Sequence, residues 1–85
     1  MVRYTTKGES VYAIVMGWPE DSKFHFRYLH EGSPYAPQQI KSVQLVGSDE
    51  QVEWVRSTGG LDLVVAKKPE GKYAYAFEIT FSSAL

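Results

Sequence analysis

The sequence predicts an all-β fold: an antiparallel β-sandwich of two sheets, with about seven strands and Greek-key-like connections. Apolar residues alternate with polar ones instead of recurring at the spacing of a helix face. Clusters of Gly, Pro, Ser and Asp interrupt this alternation about every ten residues. A chain of 85 residues has the length of one domain with one core, and we expect that domain to span residues 1–85.

The alternation also predicts where the strands lie and which side chains form the core. The second predicted strand is apolar on both faces, which indicates a position in the middle of a sheet. The predicted strands cover residues 2–6, 11–18, 23–30, 40–46, 51–58, 61–66 and 73–81. We expect the buried side chains to include Tyr12, Ile14, Phe26, Val43, Leu45, Leu63 and Phe77.

One predicted strand has a helical alternative. Ile40, Val43 and Val46 recur at three-residue spacing within residues 38–46. These side chains are β-branched, and Gly47 stops the segment at strand length, so a strand is favoured.

Two irregular segments carry further expectations. Residues 31–39 contain one Gly and two Pro, which predicts a mobile or partner-facing loop. Residues 69–73 fit either a tyrosine corner, in which the Tyr73 phenol bonds back to the backbone, or an ordinary turn.

Composition excludes several classes of function. Nine Lys and Arg against ten Asp and Glu give a formal net charge of −1 with the signs mixed, which argues against nucleic acid or an anionic membrane as a partner. The N-terminus has no signal-peptide pattern, and no apolar run reaches the roughly 18 residues of a membrane span. The absence of cysteine excludes disulfides, a thiolate nucleophile and a Cys-type zinc site.

The histidines and glycines do not form a recognisable catalytic or ligand-binding motif. His25 and His30 are five positions apart, so on one strand they point to opposite faces and do not share a metal. Residues 59–60 are a Gly-Gly pair typical of a hairpin turn, without the helix and Lys of a phosphate-binding loop. We therefore predict no metal, no cofactor and no catalytic residue.

The carboxylates have structural interpretations. The adjacent pairs at residues 20–21 and 49–50 lie in polar turns, where we interpret them as solvated charges. Glu53 and Glu78 fall on the outward side of predicted strands, which indicates solubility and edge protection.

Three aromatic residues are candidate contact residues for a sugar or for another domain. Trp18 and Trp54 share strand faces with apolar neighbours, which favours packing in a core or between domains over stacking on a sugar. Tyr35, in the Pro-rich segment, is the aromatic residue that we expect to be most exposed.

Several segments together resemble the C-terminal domain of α-L-fucosidases. They are VRYTTKG at 2–8, VYAIVMGWP at 11–19, IKSVQLVGS at 40–48, EW at 53–54, KP at 68–69 and YAYAF at 73–77. In that family a large (β/α) barrel comes first and carries the catalytic Asp nucleophile and the acid/base carboxylate. No position here matches those motifs, so the resemblance transfers no catalytic residue.

The resemblance implies a non-catalytic accessory domain that packs against and stabilises the catalytic barrel of a fucosidase. It implies a retaining glycosidase as the parent enzyme, in a secreted, periplasmic or lysosome-like setting. Two alternatives remain: a carbohydrate-binding module, and a free-standing protein-interaction domain. A domain separated from its barrel should expose an apolar patch and self-associate weakly through it.

Overall fold

The structure, a computed structural model, describes residues 2–34, 36, 38–71 and 73–82 and confirms the all-β prediction. Sheet A has the strand order β1-β2-β7-β4 and sheet B the order β3-β6-β5, with every pair antiparallel. The β1–β2 and β5–β6 connections stay within one sheet, and the other four cross between the sheets. The strands are β1 Val2–Lys7, β2 Ser10–Met16, β3 Lys23–Phe26, β4 Ile40–Leu45, β5 Val52–Ser57, β6 Gly60–Val65 and β7 Ala74–Phe81.

The core lies between the facing sides of the two sheets. Phe77 is fully buried near the middle of β7, and its ring meets those of Phe24 and Phe26 at centroid distances of 4.8 and 6.0 Å. Burial of four predicted core residues, Phe26, Leu45, Leu63 and Phe77, is confirmed. The predicted inward face of β7 is confirmed from Tyr75 to Phe81.

The prediction that Tyr12 and Ile14 are buried is wrong. The core face of β2 carries Val11, Ala13 and Val15, whereas Tyr12 and Ile14 are half-buried on the outer face of sheet A. The strand does lie inside sheet A, between β1 and β7, as predicted. Because β2 is apolar on both faces, its own pattern does not indicate which face meets the other sheet.

The prediction that β3 runs to residue 30 is also wrong. The strand ends at Phe26, and Arg27–Leu29 form a 3₁₀ turn. Tyr28 therefore leaves the inward face and stacks on Tyr4 at a centroid distance of 4.6 Å, while Leu29 is fully buried.

The two open alternatives are resolved in favour of a strand and a turn. Residues Ile40–Leu45 form β4 at the edge of sheet A, where Val43 is half-buried rather than buried as predicted, because an edge strand has a neighbour on one side only. Tyr73 is 87% exposed, which fits an ordinary turn and not the anchored phenol of a tyrosine corner.

The strand register defines two ends of the sandwich. At one end, which we call the N-terminal end, Val2 pairs with Val15 and Met16 pairs with Ala74. The second strand stops here, two residues before its predicted end, because Gly17 adopts φ 81° and turns the chain. The described residues between 27 and 39 lie at the opposite end, where Glu31 N donates to Ser57 O and Ser82 N donates to Gln39 O.

Candidate functional site

The two histidines lie in separate surroundings, but not on opposite faces of one strand as predicted, because β3 ends at Phe26. His25 Nδ1 lies 2.6 Å from Asp62 Oδ1 on the outer face of sheet B, and both side chains are 54% exposed. His30 Nδ1 lies 2.9 Å from the carbonyl oxygen of Glu31. Among the residues the structure describes, no group of three or more His, Cys, Asp or Glu side chains is arranged to hold a metal. Sequence reasoning missed the His25–Asp62 pair because it depends on the β3–β6 register.

Local hydrogen bonds surround the two pairs of acidic residues, but only Asp21 uses its carboxylate in them. Asp21 Oδ1 accepts a hydrogen bond from Lys23 N at 3.0 Å, and the hydroxyl of Ser48 accepts one from Glu50 N at 3.0 Å. Side-chain hydrogen bonds of this kind stabilise turns. Glu20 and Asp21 therefore lie in a turn, as predicted. Asp49 and Glu50 instead follow the turn at residues 46–47 in the connection to β5, and Glu50 is half-buried rather than fully solvated as predicted.

Glu78 has a different environment from the one predicted. Glu53 lies on β5, an edge of sheet B, whereas Glu78 lies on β7, inside sheet A, so edge protection is the wrong interpretation for Glu78. Its Oε2 accepts hydrogen bonds from Ser10 Oγ at 3.0 Å and from Tyr12 OH at 3.1 Å. The bond to the Glu78 carboxylate favours the neutral phenol and raises the pKa of Tyr12.

Trp18 is a packing residue. Its Nε1 donates to Ser22 Oγ at 2.9 Å, and its ring meets those of Phe24 and Tyr75 edge-on at 5.0 and 4.8 Å. The indole is half-buried against the core at the N-terminal end. These contacts satisfy both the polar and the apolar parts of the ring.

Trp54 occupies a different kind of place. It pairs with Leu63 in the β5–β6 register, on the inward side of the strand, yet it is 36% exposed because β5 is an edge strand. Within the described part of the chain, no aromatic ring stacks on its indole and its Nε1 has no hydrogen-bond partner.

An open groove of about 490 Å³ adjoins Trp54, and we call it the β4–β5 groove. Its walls come from the edge strands β4 and β5 and from the turn between them. The polar side chains that line it are mostly neutral or acidic, and they include Lys41, Gln44, Ser48, Asp49, Glu50 and Gln51.

Tyr35, the third predicted contact residue, lies outside the described residues. The described part of its segment is tied to the sandwich, which does not fit the expectation of a mobile loop. Ser33 and Ala36 are buried, and Ala36 N donates to Ser33 O at 3.1 Å.

Arg56 holds this segment in place. Its guanidinium donates four hydrogen bonds to backbone carbonyl oxygens and lies 5.5 Å from the ring centroid of Phe81. The acceptors are Leu29 at 3.0 Å, His30 at 3.2 Å, Ala36 at 2.6 Å and Gln38 at 2.7 Å. Burial lowers the pKa of Arg56, and the neighbouring Glu31 opposes that shift. Sequence reasoning missed this role. The available signal was that Arg56 follows Val52 and Trp54 on the inward face of β5, where a charged residue is unexpected.

The outer face of sheet A carries an exposed apolar surface at the N-terminal end. Ile14 lies opposite Ala76, Met16 lies opposite Ala74, and Val46 N donates to Ala76 O at 2.9 Å. Met16 is 68% exposed and Val46 is 46% exposed. We call these five residues the sheet A patch. Sequence reasoning did not assemble it, because it joins residues of β2 and β7 with Val46, which follows β4.

No helix among the described residues has the length and apolar character needed to cross a membrane.

The comparison with protein families places this chain in a known family. The family described as the α-L-fucosidase C-terminal domain matches residues 1–80, which include all seven strands except the last residue of β7. No curated protein sequence matches the chain.

Proposed function

Because the chain belongs to the family of α-L-fucosidase C-terminal domains, we propose that it is a non-catalytic accessory domain that packs against the catalytic domain of such an enzyme and stabilises it. The hydrolysis of α-L-fucosides belongs to that catalytic domain. The observation that carries the proposal is the sheet A patch, which we take as the docking surface.

The composition of the patch supports a docking role. An antiparallel sheet that faces water on one side usually carries polar residues there. Farther along the same face, β2 and β7 follow that rule, since Tyr12 and Ser10 lie beside Glu78 and Thr80. Only the N-terminal end of the described face combines exposed Met16 and Val46 with small alanines. An apolar surface of this kind, bordered on β1 by the exposed Arg3 opposite Ile14, is typical of a contact with another domain.

The position of the patch gives a second argument. In a fucosidase with a domain of this family at its C-terminus, the catalytic part precedes it in the chain. Val2 pairs with Val15, next to Met16, so polypeptide that leads into Val2 arrives beside the patch. An open groove lined by Val2, Met16, Trp18 and Pro19 continues the apolar surface around this end. A preceding domain therefore meets the patch without a long linker.

Carbohydrate binding is a second candidate function, favoured by the exposed indole of Trp54, which has no partner among the described residues and lies beside a polar groove. A bound sugar and a docked catalytic domain use different surfaces, so the two functions are compatible.

The docking surface is tested by titrating the ¹⁵N-labelled chain with the α-L-fucosidase catalytic domain of the same organism. We expect amide resonances of residues 14–16, 46 and 74–76 to shift or broaden. Met16→Asp should weaken binding by more than about tenfold, because it places a charge in a desolvated contact.

Val55→Asp is the matched control. Val55 is 67% exposed against 68% for Met16, but it lies on β5 of sheet B, and its outward side chain faces away from the patch. Binding by this variant should equal that of the unmodified chain. Equal losses in both variants, or resonance shifts confined to sheet B, would overturn the proposed docking surface.

A further inference from the structure

We infer that the β4–β5 groove is a binding site for a neutral pyranose sugar, with the indole of Trp54 as its stacking platform. This inference goes beyond the accessory role and does not depend on it.

The contrast between the two tryptophans is the first step. Trp18 makes two aromatic ring contacts and donates a hydrogen bond from its Nε1. Trp54 has none of these within the described residues and is 36% exposed. An indole that lies at a groove offers a ligand both an apolar ring face and an N–H donor. A pyranose has the matching chemistry, since it carries C–H groups on one face and hydroxyls around its rim.

The polar lining is the second step. Carboxylates accept hydrogen bonds, side-chain amides both donate and accept, and Lys only donates. Asp49, Glu50, Gln44, Gln51 and Lys41 supply all three types around one groove. Neighbouring sugar hydroxyls act as donor and acceptor together, so a mixed lining suits them better than it suits an apolar ligand.

The charge of the groove is the third step. One Lys against two carboxylates leaves a formal charge of −1 among the charged lining residues Lys41, Asp49 and Glu50. This disfavours phosphate, sulfate and acidic sugars. Lys41 and the single aromatic ring also disfavour a quaternary ammonium ligand, which usually needs a cage of several rings. A neutral hydroxylated ligand remains the best match.

The shape of the groove sets the expected affinity. The groove is open along the edges of the two sheets, so it holds one sugar unit while the rest of a glycan continues into solvent. A small ligand in such an open site binds with a Kd of about 1–10 mM.

The test is a titration of the ¹⁵N-labelled chain with methyl α-L-fucopyranoside and, separately, with methyl β-D-galactopyranoside. The two indole N–H signals distinguish the tryptophans. We expect the Trp54 signal to shift saturably with at least one sugar and the Trp18 signal to stay in place. Trp54→Phe should weaken binding severalfold, and Trp54→Ala should weaken it by more than about tenfold.

Controls separate binding from folding. Val55→Ala changes the neighbouring residue on the opposite face of the same strand and should leave the Kd unchanged. Asp49→Asn replaces the side chain with one of nearly the same shape and should weaken sugar binding. This variant tests the site if Trp54→Ala does not fold. The inference is overturned if neither sugar gives a saturable shift, or if Trp54→Ala binds as well as the unmodified chain.

Discussion

Replacing Arg56 by Ala should lower the free energy of unfolding by about 3 kcal/mol. The side chain is partly exposed, so the loss is smaller than for a fully buried charge. The variant removes four hydrogen bonds from a charged donor and leaves the carbonyls of Leu29, His30, Ala36 and Gln38 without that partner. Urea denaturation followed by circular dichroism measures the change.

Arg56→Lys distinguishes the geometry of the guanidinium from its charge. A Lys ammonium keeps the charge but cannot present the planar fork that reaches all four carbonyls. We expect it to recover less than half of the loss, and amide hydrogen exchange should accelerate in the described residues between 29 and 38. Arg27→Ala, at an exposed position, is the control and should change stability by less than about 0.5 kcal/mol. A stability loss for Arg56→Ala as small as that for Arg27→Ala would show that Arg56 does not hold the described residues between 29 and 38 in place.

Replacing Phe77 by Ala should cost about 3–5 kcal/mol, because it removes a large side chain that is fully buried between the sheets. The cavity would lie against the rings of Phe24 and Phe26, which pack on Phe77 from sheet B. A small domain has a total stability of about 5–10 kcal/mol, so this variant should be close to unfolding at 37 °C.

Two comparison variants show whether the effect comes from the core. Phe77→Leu keeps most of the apolar volume and should cost about 1–2 kcal/mol. Val55→Ala, on the exposed face of β5, should stay within about 0.5 kcal/mol of the unmodified chain. Urea denaturation gives all three values. A loss for Phe77→Ala no larger than that for Val55→Ala would contradict the assignment of the core.

Local sequence patterns predicted most of the fold, and they failed where the answer depended on a distant contact. The alternation from Tyr75 to Phe81 was sufficient for β7, since one face is apolar and the other is small or polar. In β2 both faces are apolar, so only the position of sheet B decides which one is buried. The turn that follows β3 is held by hydrogen bonds from Arg56 to Leu29 O and His30 O, contacts that the alternation in residues 23–30 does not reveal.

The candidate surfaces were less predictable than the core. The sequence predicted the same packing role for Trp18 and Trp54. Their surroundings differ because Trp18 contacts Phe24 and Tyr75, whereas Trp54 lies on β5, an edge strand of sheet B. The sheet A patch depends on how β2 and Val46 align with β7, and the β2–β7 register joins residues more than fifty positions apart in the chain.

Thermal denaturation of the same organism's α-L-fucosidase catalytic domain, with and without this chain, tests the accessory role most directly. We predict that the chain raises the Tm of the catalytic domain and that the rise saturates at one chain per catalytic domain, because binding to the folded state stabilises it. Met16→Asp should abolish the rise, whereas Val55→Asp should keep it. The chain alone should release no nitrophenol from a nitrophenyl α-L-fucoside. An unchanged Tm at saturating chain, or nitrophenol release that disappears in Asp49→Asn, Glu50→Gln or Glu53→Gln, would contradict a non-catalytic, stabilising domain.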